Sequence, residues 1–352
     1  MTKIKEIVEI HSGYASAVDV RTEFLDQEKN YERITRYVPI KSHRDAIEKI
    51  MRALLPKDKR FYFLTGNYGT GKSHLCLMIA NLFSNKSNSS ELEGFFNNYA
   101  KVDETKAKEL KALRKEGRYL VALCDFGNKD DFEEVVLQAI ARACEREEVG
   151  YFMDTHYNEA LRKIENWQKG DKQQKRLPKL QAFTQELQEK HPEYTLKKLT
   201  EGLKDYREEA MTIFKEIYKT ILDTEFTYER SNLVEILKDL LSNPKFKEKY
   251  AGLIVIFDEF GYTLKDRRIS LQICQSFAQL CAQGWRQAGK SAAPVAFLST
   301  GHRPIKDYSR PEDKADFDVV ADRVEEVGLT PEGMEKIIGE IGRASCRERV
   351  FE

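Results

Sequence analysis

The octapeptide GNYGTGKS, Gly66–Ser73, constrains this chain more than any other feature, because it fits the phosphate-loop pattern GxxxxGK[ST] between an apolar run, FYFLT, and a helical one, SHLCLMIANLF. Position gives the match its meaning. Gly66, Gly69 and Gly71 open backbone angles closed to other residues, so the N–H groups of the loop, including those of Asn67, Tyr68 and Thr70, can wrap a β-phosphate. The following helix adds its positive N-terminal end through Lys72, Ser73 and His74. Lys72 is then expected to reach the β- and γ-phosphates as a point charge, and Ser73 to give its hydroxyl to Mg²⁺.

A second element, LIVIFDEFG, carries an apolar run from Leu253 to Phe257 into Asp258 and Glu259. Carboxylates that close a buried strand are costly unless they are paired or face a cation. At the carboxyl edge of a sheet beside the phosphate loop, Asp258 is expected to hold Mg²⁺ through its water shell and Glu259 to polarise the water that attacks the γ-phosphate.

Apolar runs bounded by turn residues predict five strands: Phe61–Thr65, Tyr119–Asp125, Leu253–Asp258, Pro294–Thr300 and Val324–Leu329. LIVIFD and VAFLST are apolar almost throughout rather than alternating, as central strands of a covered parallel sheet are. Helical patterns at Lys41–Leu55, Ser73–Ser84, Asp130–Glu147, Ser270–Ala288 and Pro311–Val320 separate or flank them. The expected fold is α/β: a doubly wound, parallel, five-stranded sheet with a large all-helical insertion.

The organisation read from the chain is an N-terminal segment and helix over 1–59, a first half of the core over 60–149, the helical insertion over 150–249 and a second half of the core over 250–330. A lid would begin at 331–340. The last residues, IGRASCRERVFE at 341–352, resemble the conceptual translation of a sequencing-adapter oligonucleotide, so they are expected to be an artefact and the natural chain to continue past Glu340. A real basic tail is the alternative. Within the insertion, Lys163, Lys169, Lys172, Lys175, Arg176 and Lys179 form either a DNA-contacting arm or a solvated helix surface.

Two further sites follow from the strand ends. PVAFLSTGHR stops in polar residues at the level of a γ-phosphate, so Ser299 or Thr300 can position the lytic water, or merely make a strand exit. Arg323 stands before the last strand, where an arginine can project into a neighbouring subunit's nucleotide; that role would require a ring or a dimer. Arg303 competes for it, and a simple salt bridge explains either.

Composition narrows the class little. With 58 Lys plus Arg against 58 Asp plus Glu, the net charge is zero, so no whole-protein field draws nucleic acid or anionic lipid. The six cysteines are scattered without a CxxC pair, as buried thiols in a reducing cytosol would be, and the histidines form no metal-ligand cluster. No apolar run nears the ~20 residues of a membrane span, and MTKIKEIVEI is not a signal peptide, so the expected location is the cytoplasm.

In chain order the phosphate loop, an extra strand, the Asp-Glu strand, the polar-ended strand and the Arg-preceded strand resemble the additional-strand class of P-loop ATPases, with AAA+ and STAND modules nearest. More narrowly, GNYGTGKSHL and VIFDEFG resemble the large ATPase subunits of BREX-type phage-defence systems. The likeness implies ATP and Mg²⁺ as ligands, and ATP hydrolysis that drives a motor or switch in a DNA-directed defence complex. It also implies a homo-oligomer or a multi-protein assembly. The alternatives are a STAND-type signalling switch with little turnover and an origin-recognition or loader-type DNA-binding ATPase. It further implies that Tyr37 and Val38, in RYVPIKSHRDAI, line the adenine pocket; a packed linker explains them equally. AAA+ proteins set their arginine in a Gly-Arg-Phe context, whereas Asp322, Arg323 and Val324 stand here.

Overall fold

A computed structural model describes residues 18–330 apart from 38, 55–59, 85–89, 115–116, 126–130, 152–154, 169–176, 228–231, 267–268, 285 and 288–289. Val38, four of the basic positions (Lys169, Lys172, Lys175 and Arg176), the lid segment 331–340 and the adapter-like tail 341–352 therefore lie outside the described residues.

Five parallel strands form the sheet: β1, Phe61–Thr65; β2, Tyr119–Leu123; β3, Gly252–Phe257; β4, Val295–Gly301; and β5, Glu325–Gly328. They lie in the order β2-β3-β4-β1-β5, so β4 is inserted between the strand that enters the loop Gly66–Ser73 and the strand that leads into Asp258. Every residue of β1 to β4 is buried, which is why these segments read as unbroken apolar runs. Edge strand β5 buries only Val327.

Strand side chains alternate between two cores, as the two-residue period demands. Phe61, Phe63, Leu120, Ala122, Val255 and Phe297 face one; Tyr62, Leu64, Val121, Ile254, Ile256 and Leu298 face the other. The second core is closed by helix Lys72–Ser84, which follows the glycine-rich loop, with helices Lys41–Met51, Glu93–Val102 and Glu104–Leu113. Helices Phe132–Arg146 and Leu271–Gln283 close the first.

Between Gly150 and Lys249 the described chain is helical, as expected, in six helices: His156–Gln168, Leu177–Lys190, Leu196–Lys204, Glu208–Leu222, Leu233–Ser242 and Pro244–Lys249. Their aromatic centre, where Trp167 and Phe214 both pack on Phe183, continues into the core beneath the first sheet face. The helical region thus shares one apolar interior with the sheet.

Differences from the sequence expectation sit at element ends. The helix expected over Ser270–Ala288 stops at Gln283 because Gly284 takes φ +65, and Arg286–Gln287 then pairs antiparallel with Lys290–Ser291. Two short N-terminal helices, Val20–Leu25 and Gln27–Thr35, were not anticipated; Asp19 and Asp26 cap them by accepting from the Thr22 and Lys29 N–H groups. No described helix is long and apolar enough to cross a membrane.

Candidate active site

Parallel pairing brings the carboxyl ends of β1, β3 and β4 to one edge, which is where α/β sheets bind ligands. Phe257 of β3 pairs with Ser299 of β4, so Asp258 and Thr300 come level one residue later. Both lie on the face toward helix Lys72–Ser84, since Phe257 and Phe297 belong to the opposite core. Thr300 Oγ1 donates to Asp258 Oδ1 at 2.7 Å and accepts the Glu259 N–H at 2.7 Å. The hydroxyl clamps the acidic pair.

Glu259 stands at φ 60, ψ 28, a left-handed conformation that costs an L-residue roughly 1–2 kcal/mol. This turn swings the carboxylate from the strand end into the cleft, after which helix Phe260–Lys265 begins at once. Burial above all pushes the Glu259 carboxyl above its ordinary value; Asp258 adds to the rise, while His302 and Lys72 oppose it. A carboxylate so tuned is a better proton acceptor.

Opposite it, the loop Gly66–Ser73 is held open by two left-handed glycines, Gly69 at φ +81 and Gly71 at φ +82. Lys72 is only 6% exposed and folds back, its Nζ donating to the Gly66 and Asn67 carbonyls at 2.8 and 3.2 Å. Burial lowers the Lys72 pKa, and the charges of Glu259 and Asp258 counter it. Tyr68, Gly69, Gly71, Lys72, Ser73, His74, Asp258 and Glu259 line a single cavity of about 460 Å³, together with Cys124 and the N-terminal segment Val18–Arg21. The loop and the acidic pair share one cleft.

Three buried polar atoms in or beside this cleft lack a hydrogen-bond partner among the described residues: His74 Nε2, Glu259 Oε2 and His302 Nε2. The last two stand 2.9 Å apart, but the approach is not aligned for a hydrogen bond. The other imidazole nitrogen, His302 Nδ1, lies 3.5 Å from Lys72 Nζ. Tyr68, 76% exposed, covers the imidazole at a ring separation of 4.1 Å, and its hydroxyl meets that of Tyr262 at 3.0 Å.

Behind the loop, His43 Nε2 donates to the Thr70 carbonyl at 2.8 Å, which leaves Nδ1 to accept the Tyr37 hydroxyl at 2.7 Å. Burial lowers the His43 pKa, keeping the ring neutral in this tautomer. Two expectations are corrected here. Tyr37 does not open onto an adenine; it is 3% exposed, packed against His43, His74 and Phe95, and supports the loop. Ser299 is fully buried, its hydroxyl donating to the Tyr62 carbonyl at 3.1 Å, so it ties β4 to β1. Arg323, expected to act at a neighbouring subunit's nucleotide, donates to the Val319 carbonyl of its own helix at 2.8 Å.

Sequence reasoning missed His302 as a site residue, along with His43 and the cavity-lining segment Val18–Arg21. His302 lies two residues beyond Thr300 on the same strand exit, which is the one signal that pointed to it. Arg21 also pairs with Asp125, which Arg142 holds from the other side at 2.8 Å. Comparison with family models, with curated proteins and with solved structures yields no match to this chain.

Proposed function

We propose that this chain binds ATP with Mg²⁺ and hydrolyses it to ADP and phosphate. The class is a P-loop ATPase with an additional strand, and the particular member it resembles is the large ATPase subunit of BREX-type phage-defence systems. The observation that carries the class is the common cavity lined by Tyr68, Gly69, Gly71, Lys72, Ser73 and His74 and by Asp258 and Glu259. The insertion of β4 between β1 and β3 supports the additional-strand assignment.

The residues fit the ligands they would hold. Positive-φ backbone at Gly69 and Gly71 suits a loop that turns its N–H groups toward phosphate, and Glu259 Oε2 lacks a hydrogen-bond partner among the described residues, so it can accept from a water. Ser73 and Asp258 would hold Mg²⁺, which when bound offsets charge on the β- and γ-phosphates. Lys72 would leave the Gly66 and Asn67 carbonyls for phosphate oxygens. Thr300 fixes Asp258 and the Glu259 backbone, so the carboxylate of Glu259 is aimed and ready to accept the proton of the attacking water. Turnover then drives a motor or switch, in a homo-oligomer or larger complex, and DNA is the partner that the BREX resemblance suggests.

Lys72→Ala and Glu259→Gln test this together. Lys72→Ala should abolish ATP binding, whereas Glu259→Gln should keep binding and lose at least ~100-fold in phosphate release. Normal hydrolysis by Glu259→Gln removes the assignment of the base.

A further inference from the structure

In the ATP reading, on which this inference rests, the terminal phosphate and its attacking water must sit between Lys72 and Glu259. The structure fills that gap with a side chain. His302 spans it, with Nδ1 3.5 Å from Lys72 Nζ and Nε2 2.9 Å from Glu259 Oε2. An imidazole cannot share this space with a phosphoryl group, because groups in contact already leave no room between them.

The imidazole is held there from outside. Tyr68 covers its face at 4.1 Å, Tyr262 approaches its edge at 6.1 Å, and the two tyrosine hydroxyls meet at 3.0 Å over it. Below, the His302 N–H donates to the Tyr308 hydroxyl at 3.2 Å. Yet Nε2 and its carboxylate neighbour, both buried, form no aligned hydrogen bond, so the closed arrangement is only partly satisfied. A ligand that supplies better partners to Lys72 and Glu259 can displace it.

We propose that His302 is a specificity-determining latch for the third phosphate of the nucleotide: it occupies the γ-phosphate position in the resting site, and the triphosphate must expel it. A diphosphate ends short of the gap and leaves the latch closed. Expulsion unstacks Tyr68 and breaks the Tyr68–Tyr262 contact, so the triphosphate state alone releases two exposed aromatic side chains at the mouth of the cleft. Tyr68 is 76% and Tyr262 39% exposed, which places this change where a neighbouring subunit can read it.

The test is calorimetric titration, with Mg²⁺ present, of the β,γ-imido analogue of ATP and of ADP into the full chain. A latch closed about nine-tenths of the time reduces apparent triphosphate affinity about tenfold. His302→Ala should therefore bind the analogue about tenfold more tightly, with ADP affinity changed less than about twofold. His302→Gln keeps a nitrogen donor near the place of Nε2 and should restore most of the penalty. Tyr262→Phe, a surface change that removes only the hydroxyl contact, should tighten the analogue by about twofold to threefold and leave ADP alone. Equal shifts for both nucleotides, or weaker analogue binding by His302→Ala, overturns the latch while the ATP reading stands. If the unaltered chain binds neither nucleotide, the ATP reading itself is lost.

Discussion

Replacing Tyr37 by Phe removes one oxygen atom and tests how the phosphate loop is held. The Tyr37 hydroxyl donates to His43 Nδ1 at 2.7 Å, and the same ring donates from Nε2 to the Thr70 carbonyl at 2.8 Å, so a buried relay runs from an aromatic core residue to the loop backbone. The phenyl ring keeps every apolar contact with His74 and Phe95, whose centroids lie 4.9 and 6.0 Å away. What is lost is the donor, which leaves His43 Nδ1 as a buried acceptor without a partner. Such an orphan costs about 1–3 kcal/mol. At roughly 1.4 °C per kcal/mol for a chain of this size, the melting temperature should fall by about 1–4 °C. Thermal and urea unfolding of Tyr37→Phe, His43→Leu and the double variant close a double-mutant cycle. The coupling energy should reach at least about 1 kcal/mol, because Tyr37→Phe loses most of its effect once His43 is gone. Equal destabilisation by Tyr37→Phe in both backgrounds would refute the relay.

Other perturbations bear on the same site. Gly69 and Gly71 share a left-handed φ, but a Cβ on Gly71 would meet His43 Cε1 at 2.8 Å whereas one on Gly69 meets nothing within 4 Å. Gly69→Ala should thus cost about 1 kcal/mol in stability, and Gly71→Ala clearly more, with loss of nucleotide binding. His43 is held neutral in the folded state, its pKa below the ordinary 6.5, so the unfolded chain takes up the proton first and this contribution to stability, complete above pH 6.5, is lost as pH falls through the folded value. Urea midpoints should decline over that window, and less steeply in His43→Leu. Glu259→Gly removes a left-handed non-glycine residue and should raise stability by about 1 kcal/mol while abolishing phosphate release.

Much of this site could be read from the sequence because its parts are local. GNYGTGKS states its own geometry, and the two glycines that need positive φ are in the pattern. The apolar runs of β1, β3 and β4 predicted a covered parallel sheet, and parallel pairing then forces their ends together. Thr300 and Ser299 show what a closer reading of the same strand allows. Phe297 faces the core remote from the loop, so the two-residue period sends Ser299 to that side and Thr300 to the side of the phosphate-loop helix. The hydroxyl of Thr300 reaches Asp258, and that of Ser299 does not.

What stayed hidden depends on contacts between distant segments. Tyr37, His43 and Thr70 are brought together by packing of the second core, and no spacing rule announces that the tyrosine faces inward. His302 comes between Lys72 and Glu259 only because three strand ends converge, and Arg21 enters the cleft from a capped helix too short to show periodicity. The helical region over 150–249 announced its helices through amphipathic spacing, but not that its aromatic centre would merge with the sheet core through Trp167 and Phe183.

The central claim is that the glycine loop and the acidic strand end hold one metal–nucleotide complex between them. Mn²⁺ in place of Mg²⁺, added with the β,γ-imido ATP analogue, allows this to be measured by electron–nuclear double resonance and by Mn²⁺ titration in the unaltered chain and in Asp258→Ala. Phosphorus hyperfine coupling on the bound Mn²⁺, with Mn²⁺ affinity at least about tenfold lower in Asp258→Ala, is the predicted result. Absence of that coupling, or equal Mn²⁺ affinity in the two proteins, would contradict it.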